Sequence, residues 1–272
     1  MRFALVNDIH RGPPEAGFHD AVQRKLVAEA DQLLDAFVTE MNERERPRFV
    51  VNLGDSIEDV HDREIDAANL RRVAAQLSKL EMPLYSLLGN HDVGSLGFRE
   101  AASLLGADRT FFSFDIDGAH FVALGFEQPY SDADPADVRA VVPAEQLDWL
   151  AEDLALASTS VVVFSHYGLA DDDMQGNFWF ESEPQAAVIE NRAEVRSLLE
   201  RSGRVRAVIS AHQHWNRLLV QNGIPYVTVT SLVENTRNDG VPAAARTLVT
   251  LREDRLVVEV RGNDPARFSL PT

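Results

Sequence analysis

Side chains able to bind metal stand directly after apolar segments at five places in the chain. The sequences at these places are Asp8-Ile9-His10, Gly54-Asp55, Gly89-Asn90-His91-Asp92, His166 and Ala211-His212-Gln213-His214. Imidazole nitrogens and carboxylate oxygens suit Mn, Fe, Zn or Co better than Ca. Because such ions polarise phosphoryl oxygens and activate water, the pattern predicts a metal site suited to hydrolytic chemistry.

The number of donor groups indicates two metal ions rather than one. Cysteine is absent, so every ligand must offer nitrogen or oxygen. Two carboxylates, an amide and several imidazoles are too many for one tetrahedral zinc site, but they fit two ions that share a carboxylate. Five of the eight histidines stand at these places, whereas His19, His61 and His120 do not. We therefore predict a dinuclear centre.

Alternating strand and helix patterns predict how the first three groups are positioned. Strand-like apolar runs cover residues 2–7, 49–53 and 84–88, and helical spacing covers residues 20–45 and 65–80. Such alternation favours a parallel sheet with right-handed crossovers. The carboxyl ends of parallel strands form a ligand crevice, so Asp8, Asp55 and Asn90 are expected at one edge. We interpret Gly54 and Gly89 as turn glycines.

The rest of the chain shows the same alternation and then a series of antiparallel strands. Predicted strands cover residues 111–115, 120–125, 160–165, 205–210, 217–221, 226–230, 246–251 and 255–260, and predicted helices 144–157 and 191–201. His166 and His212 follow two of these strands. We predict an α/β fold, a four-layer α/β/β/α sandwich of two mixed sheets flanked by helices, in a single domain over residues 1–272.

Two stretches interrupt this pattern and are predicted to be active-site or interface loops. Residues 127–142 are rich in Asp and Pro, and residues 168–184 combine acidic side chains with Phe178, Trp179 and Phe180. Loops of this length are often binding loops, lids or contact surfaces. Phe178 and Trp179 are candidate substrate contacts that could stack on a nucleobase, and packing or a subunit contact is the alternative. Asp59, Asp62 and Glu64 are interpreted as a helix start.

Charge and composition limit the partners. The formal net charge of −17 should repel a long nucleic acid, whereas bound metal ions would still attract a small phosphorylated substrate. The first residues lack the features of a signal peptide, and no apolar run approaches about 18 residues. We therefore expect a cytoplasmic protein without a membrane partner. The composition permits a homodimer but does not require one.

The order D-x-H, G-D, G-N-H-D, H and H-x-H resembles the calcineurin-like metallophosphoesterase superfamily. The resemblance spans residues 8–214, and Ala211 stands where a glycine usually precedes the first histidine of the last group. It implies that one metal is held by Asp8, His10, Asp55 and His214, and the other by Asp55, Asn90, His166 and His212. The metals would be two divalent ions, with Mn, Fe, Zn and Co all compatible.

The resemblance also implies the mechanism. Metal coordination lowers the pKa of water from about 16 to about 7, so a metal-bound hydroxide would attack phosphorus. His91 would not bind metal. It would contact the phosphoryl group or protonate the leaving oxygen, with Asp92 orienting its ring. Asn90 and His91 are accordingly candidate substrate contacts.

Several functions are compatible with this chemistry. We predict hydrolysis of a small phosphodiester of the cyclic-nucleotide or glycerophosphodiester type. An ADP-ribose/CDP-alcohol type pyrophosphatase and a phosphomonoesterase are the alternatives within the enzyme class. The non-enzymatic alternatives are a non-catalytic scaffold, which is expected to lose ligands, and a metal-binding protein with one occupied site.

Overall fold

The computed structural model describes residues 1–19, 21–128 and 139–271. Within these residues the strands are β1 (Arg2–Val6), β2 (Phe18–His19), β3 (Val22–Gln23), β4 (Val50–Asn52), β5 (Leu84–Ser86), β6 (Phe112–Ile116), β7 (Ala119–Leu124), β8 (Ser160–Ser165), β9 (Val205–Ser210), β10 (Arg217–Gln221), β11 (Ile224–Thr228), β12 (Arg246–Leu251), β13 (Arg255–Arg261) and β14 (Ala266–Pro271). The α-helices are α1 (Ala30–Glu40), α2 (Arg63–Leu77), α3 (Asn90–Val93), α4 (Gly97–Leu104), α5 (Ala144–Leu156) and α6 (Arg192–Ser202).

The chain forms two units, Met1–Thr110 with Thr230–Thr272 and Phe111–Val229. The sheet of the first unit has the strand order β14-β13-β12-β1-β4-β5. Strands β1, β4 and β5 run parallel, with Ala4 opposite Val50, whereas β12 pairs with β1 in the antiparallel direction. The predicted parallel arrangement of these three strands is therefore confirmed, and their carboxyl ends lie at one edge of this sheet.

Helices α1 and α2 of the first unit bury their apolar faces with this sheet. Leu34 and Phe37 of α1 and Val73 of α2 belong to one buried cluster with Val6 of β1 and Val50 of β4. Full burial of side chains of this size contributes about 1.5–3 kcal/mol each. The packing fixes β1 and β4, from whose ends the first candidate ligands extend.

The sheet of the second unit has the strand order β10-β11-β9-β8-β7-β6. Strands β7, β8, β9 and β11 run parallel, and β6 and β10 are antiparallel at the two edges. Phe114, Phe121 and Phe164 stack across neighbouring strands, with ring centroids 5.1 and 6.0 Å apart. Both sheets are mixed and accompanied by helices, as predicted. The single-domain prediction stays a prediction.

The predicted helix over residues 20–45 differs most from the structure. Its α-helical part begins at Ala30, directly after the 3-10 helix Val27–Glu29, and the short β2–β3 hairpin precedes both. The backbone N–H groups of Arg24 and Lys25 both donate to the Gly17 carbonyl, and that of Leu26 donates to the Val233 carbonyl. These bonds hold the segment away from the helical path although its apolar spacing suited a helix.

Strand β14 and helices α3 and α4 were not predicted. Strand β14 alternates between exposed residues and half-buried or buried ones, and Leu270 is its one buried residue. Helix α3 has only four residues. Four residues are about one helical turn and too short to show a period, whereas α4 and β14 do have an apolar periodicity that the sequence analysis overlooked.

The two predicted loops are described to different extents. In the first, residues 129–138 lie outside the described residues, and backbone N–H groups of Glu127 and Val141 each donate to the other's carbonyl at 2.8 Å. In the second, which was predicted over residues 168–184, Gly168 forms an isolated β-bridge with Val188 and Pro184 begins the 3-10 helix Pro184–Ala187, whereas the residues between them form turns and bends. In the described part of the chain no helix is long and apolar enough to span a membrane.

Candidate metal centre

The end of β1 positions Asp8 and His10, both of which are fully buried. The backbone N–H of Asp8 donates to the Gly54 carbonyl, and that of His10 donates to the Asp55 carbonyl, both at 3.0 Å. The amide Nδ2 of Asn7 donates to Asp8 Oδ2 at 2.6 Å. Backbone hydrogen bonds therefore join the loop after β1 to the loop after β4. They place the two loops that bear candidate ligands side by side in the first unit.

Asp55 is oriented by the loop that follows β5. The backbone N–H of His91 donates to Asp55 Oδ1 at 2.9 Å. A Cβ atom on Gly89 would lie 2.1 Å from the same oxygen. Gly54 has a φ of +100°, as expected of a turn glycine, whereas Gly89 has an extended backbone and is required by this close approach.

Asp8, His10 and Asp55 form a donor cluster suited to a metal ion. One ligand atom from each lies within 4.8 Å of those of the other two. Burial, followed by the charge of Lys25, lowers the pKa of His10 to about 4, so the imidazole is neutral near pH 7. Neutral imidazole and ionised carboxylate are the forms that bind metal. The donor chemistry of the first unit therefore fits a divalent cation.

Glu58 fixes the orientation of the His10 ring. His10 Nδ1 lies 2.9 Å from Glu58 Oε2, and His10 Nε2 lies 3.7 Å from Asp55 Oδ2. A hydrogen bond from Nδ1 to a carboxylate leaves Nε2 as the nitrogen that can bind metal. Burial raises the pKa of Glu58, but the hydrogen bond from His10 and the charges of His10, Lys25 and His91 outweigh it and hold that pKa below its usual range.

Backbone strain is concentrated at the predicted ligands. Within the described residues, twelve non-glycine residues have a positive φ. Left-handed backbone of this kind is uncommon for side chains with a Cβ and clusters at functional sites. Five of the seven predicted metal ligands are among the twelve, namely Asp8, His10, Asp55, His212 and His214. The strained backbone conformation therefore coincides with the residues predicted to bind metal.

Two charged groups contact the imidazole of His91, which is 23% exposed. His91 Nδ1 lies 2.8 Å from Asp59 Oδ2, and Lys25 Nζ lies 3.1 Å from His91 Nε2. A lysine ammonium can only donate, so Nε2 accepts and Nδ1, the nitrogen beside Asp59, carries the ring proton. Asp59, interpreted from the sequence as part of a helix start, therefore contacts His91. Asp62 is the N-cap of α2, as predicted.

The carboxylate of Asp92 joins two loops of the first unit. Its Oδ1 accepts from the backbone N–H groups of Ser56 at 2.8 Å and Ile57 at 3.3 Å, and its Oδ2 accepts from that of Gly89 at 2.9 Å. These bonds hold the loops after β4 and β5 together. The catalytic role of Asp92 stays a prediction. Asn90 begins α3 and is half-buried.

The second unit brings together two of the predicted ligands at the ends of β8 and β9. His166 and His212 are buried, and a ligand nitrogen of each lies within 4.8 Å of the other. The backbone N–H of Ala211 donates to the His166 carbonyl at 3.0 Å. His212 Nε2 lies 3.1 Å from the Ala186 carbonyl oxygen, so Nε2 donates and Nδ1 is left to bind metal.

His214 lies beside the predicted aromatic loop of the second unit. The ring centroids of Trp179 and His214 are 5.7 Å apart, and those of Phe178 and Trp179 are 5.8 Å apart. Buried Asn177 holds this loop, because its Nδ2 donates to the Gln213 carbonyl at 2.8 Å and its Oδ1 accepts from the Trp179 N–H at 2.9 Å. Phe178 is 41% exposed, which leaves an aromatic surface open near a candidate ligand.

Three residues of the first unit were missed by the sequence analysis as functional candidates. Glu58 and Asp59 follow the bridging candidate Asp55 by three and four positions, and their acidic character was a usable signal. Lys25 carried no signal, because its place beside His91 depends on the hairpin that replaces the predicted start of the helix.

The chain is similar to known metal-dependent hydrolases. Residues 1–216 match the calcineurin-like phosphoesterase family. A manganese-dependent ADP-ribose/CDP-alcohol diphosphatase from Oryza sativa subsp. japonica is 24% identical over 225 residues, which are 67% of this chain and 67% of that protein.

Solved structures show the same fold. A dimetal phosphatase from Danio rerio has a TM-score of 0.76 at 22% identity, over 99% of this chain and 98% of that chain. GAP50, the anchor in the inner membrane complex of Plasmodium, has a TM-score of 0.64 at 13% identity, over 100% and 88%. The chain has the metallophosphoesterase fold, and it belongs to the calcineurin-like phosphoesterase family, in which two divalent metal ions serve the hydrolysis of phosphoric esters.

Proposed function

We propose that this protein hydrolyses the phosphoanhydride bond of a small nucleotide derivative, of the ADP-ribose or CDP-alcohol type. The main support for a hydrolytic metal site is the buried cluster of metal-binding side chains formed by Asp8, His10 and Asp55. The relative from Oryza sativa supports the substrate class, since it is a diphosphatase of ADP-ribose and CDP-alcohols. For this reason we place the phosphoanhydride ahead of the phosphodiester favoured by the sequence.

We assign the seven candidate ligands to two ions. Asp8, His10, Asp55 and His214 would hold one ion, and Asp55, Asn90, His166 and His212 would hold the other. When bound, the two ions supply positive charge for the phosphoryl oxygens and lower the pKa of water. The donor tautomers support this assignment, because Glu58 leaves Nε2 of His10 for metal and Ala186 leaves Nδ1 of His212.

His91 would act on the substrate. Its Nδ1 is engaged by Asp59, so Nε2 is the nitrogen that can face a phosphoryl or leaving oxygen. The contact with Asp59 fixes the orientation of the ring. This arrangement supports a role for His91 in orienting the phosphoryl group and handling a proton at the leaving oxygen.

Phe178 and Trp179 would bind the nucleobase. Both lie on the loop anchored by Asn177, and Trp179 lies beside His214, a candidate metal ligand. Stacking on an aromatic ring is worth about 1–3 kcal/mol per base. A nucleotide whose phosphates approach His214 therefore has an aromatic surface within reach of its base.

Phosphodiester hydrolysis is the second candidate. An alkoxide leaving group needs a proton, which His91 would supply only after its Nε2, an acceptor from Lys25 in the structure, has itself taken up a proton. Both candidates share the metal ligands and differ in the leaving group. Direct comparison of substrates separates them.

The test is hydrolysis by metal-stripped protein reloaded with Mn. Substrates are ADP-ribose, CDP-glycerol, cyclic AMP, bis(p-nitrophenyl) phosphate and p-nitrophenyl phosphate, with Asn90→Ala and His91→Ala as variants. The control is Lys79→Ala, whose side chain is 60% exposed and is paired with Asp35 on the surface. We expect ADP-ribose and CDP-glycerol to be cleaved fastest. We expect the two variants to lose activity and the control to keep the activity of the wild type. Faster cleavage of the diesters would favour the second candidate, and no cleavage despite two bound ions would indicate a scaffold.

A further inference from the structure

Lys25 is a buried cation beside the candidate catalytic histidine. The residue is 6% exposed and lies in the segment between β3 and α1. Its backbone N–H donates to the Gly17 carbonyl at 3.0 Å, and it forms a β-bridge with Glu234. These backbone contacts fix the direction of the side chain, so its position does not depend on a flexible surface conformation.

The ammonium group of Lys25 lies at the substrate-facing nitrogen of His91. Lys25 Nζ is 2.7 Å from Glu58 Oε2 and 3.1 Å from His91 Nε2. Asp59 engages the other nitrogen of His91, so an oxygen that approaches Nε2 also comes near the ammonium. In a buried environment a positive charge acts more strongly on a nearby anion than it does in water.

We propose that Lys25 binds the leaving phosphate and makes the site favour phosphoanhydrides over esters of alcohols. Water forms a bond to one phosphorus, and the bond from that phosphorus to the bridging oxygen breaks. The electron pair stays on the bridging oxygen, which becomes a terminal oxygen of the second phosphate, and the protons of water pass to the products or the solvent. Negative charge grows on that leaving phosphate, where a fixed cation stabilises it. An alkoxide leaving group is instead stabilised by taking up a proton from a general acid.

The inference rests on the proposed function and adds the residue that selects the leaving group. It is tested with Lys25→Met, which removes the charge, and Lys25→Arg, which keeps it. The matched control is Lys79→Met, because Lys79 is an exposed lysine paired with Asp35 on the protein surface. The Mn-loaded proteins are assayed with ADP-ribose and with thymidine 5′-(p-nitrophenyl phosphate), a nucleotide diester whose leaving group carries no phosphate.

The decisive quantity is the ratio of kcat/KM for the two substrates. Loss of one preorganised donor to a developing negative charge typically costs about 100- to 1000-fold in kcat, so we expect the ratio to fall by roughly 100-fold in Lys25→Met. We expect it to recover substantially in Lys25→Arg and to stay unchanged in Lys79→Met. The same folded molecules cleave both substrates, so partial unfolding of a variant leaves the ratio intact. Inhibition by AMP, a phosphate product, should weaken in parallel in Lys25→Met.

Two results would overturn the inference. If the wild-type protein cleaves ADP-ribose and the ratio is unchanged in Lys25→Met, Lys25 does not select the leaving group and the proposed function survives. If the wild-type protein cleaves the diester but neither ADP-ribose nor CDP-glycerol, both the proposed function and the role of Lys25 are wrong.

Discussion

His10 Nδ1 lies 2.9 Å from Glu58 Oε2, and this contact turns Nε2 of the same ring toward the carboxylate of Asp55. The metal-facing nitrogen is thus set by a residue that binds no metal in our assignment. Changes in such supporting residues typically cost 10- to 100-fold in metal affinity.

We therefore expect Glu58→Gln to weaken Mn binding by about 10-fold or more. The Mn affinity is measured by calorimetric titration of the metal-free protein with Mn. Glu64→Gln is the control, because Glu64 is an exposed residue in the first turn of α2. Equal Mn affinity in Glu58→Gln and wild type would show that Glu58 does not support the site.

Gly89→Ala is expected to destabilise the first unit. The new Cβ would lie 2.1 Å from Asp55 Oδ1 and 2.3 Å from the Asp55 backbone nitrogen, so the two loops must separate. Overpacking of this kind costs about 1–3 kcal/mol, which urea unfolding can measure.

Gly94→Ala provides the comparison, because a Cβ there would lie no closer than 3.3 Å to Asp59 and the backbone is already helical. We expect its free energy of unfolding to stay within about 1 kcal/mol of the wild type. A Gly89→Ala protein as stable as Gly94→Ala would contradict the close approach.

His120 is expected to make the stability of the second unit depend on pH. Its Nδ1 lies 2.9 Å from Asp115 Oδ1 and its Nε2 lies 2.8 Å from Asp153 Oδ2. Burial lowers the pKa of His120, but the hydrogen bonds to Asp153 and Asp115 outweigh it and raise the pKa above 6.5. The protonated ring thus contributes stability that is complete below pH 6.5 and is lost as the pH rises through the raised pKa.

The variant that removes this charge is His120→Gln. We expect the wild type to be more stable than this variant by about 2 kcal/mol at pH 6. The difference should shrink toward pH 9, as followed by urea unfolding across this range. A difference that is constant with pH would mean that the protonated form of His120 contributes no stability.

Trp179→Ala should raise the KM for ADP-ribose by about 10-fold, since one stacking contact is worth about 1–3 kcal/mol. Hydrolysis of bis(p-nitrophenyl) phosphate, which lacks a nucleobase, should change much less. Phe18→Ala is the control, because Phe18 is an exposed aromatic residue of the first unit. Equal effects on both substrates would indicate that Trp179 supports His214 rather than the base.

The sequence was sufficient to predict the ligand-bearing strands because their signals are local. Buried runs such as residues 160–165 and 205–210 begin and end as predicted, and polar residues follow them directly. The parallel pairing of β1, β4 and β5 also followed from alternation with helices.

The surroundings of His91 could not be predicted in the same way. Lys25 approaches it from a sequence distance of 66 residues, through a hairpin whose backbone bonds override a helical apolar pattern. Gly89 was predicted to be a turn glycine, but it is required because its backbone lies close to Asp55. This is a tertiary contact, which the turn preferences of single residues do not indicate. Long-range contacts of this kind leave no periodic trace in the sequence.

The most direct test of the proposed dinuclear centre is the number of Mn ions bound per chain, measured by metal analysis after reloading and dialysis. We expect two ions in the wild type, one in His166→Ala, and fewer than one in Asp55→Asn, because Asp55 is assigned to both ions. One ion per chain in the wild type, unchanged in His166→Ala, would contradict it.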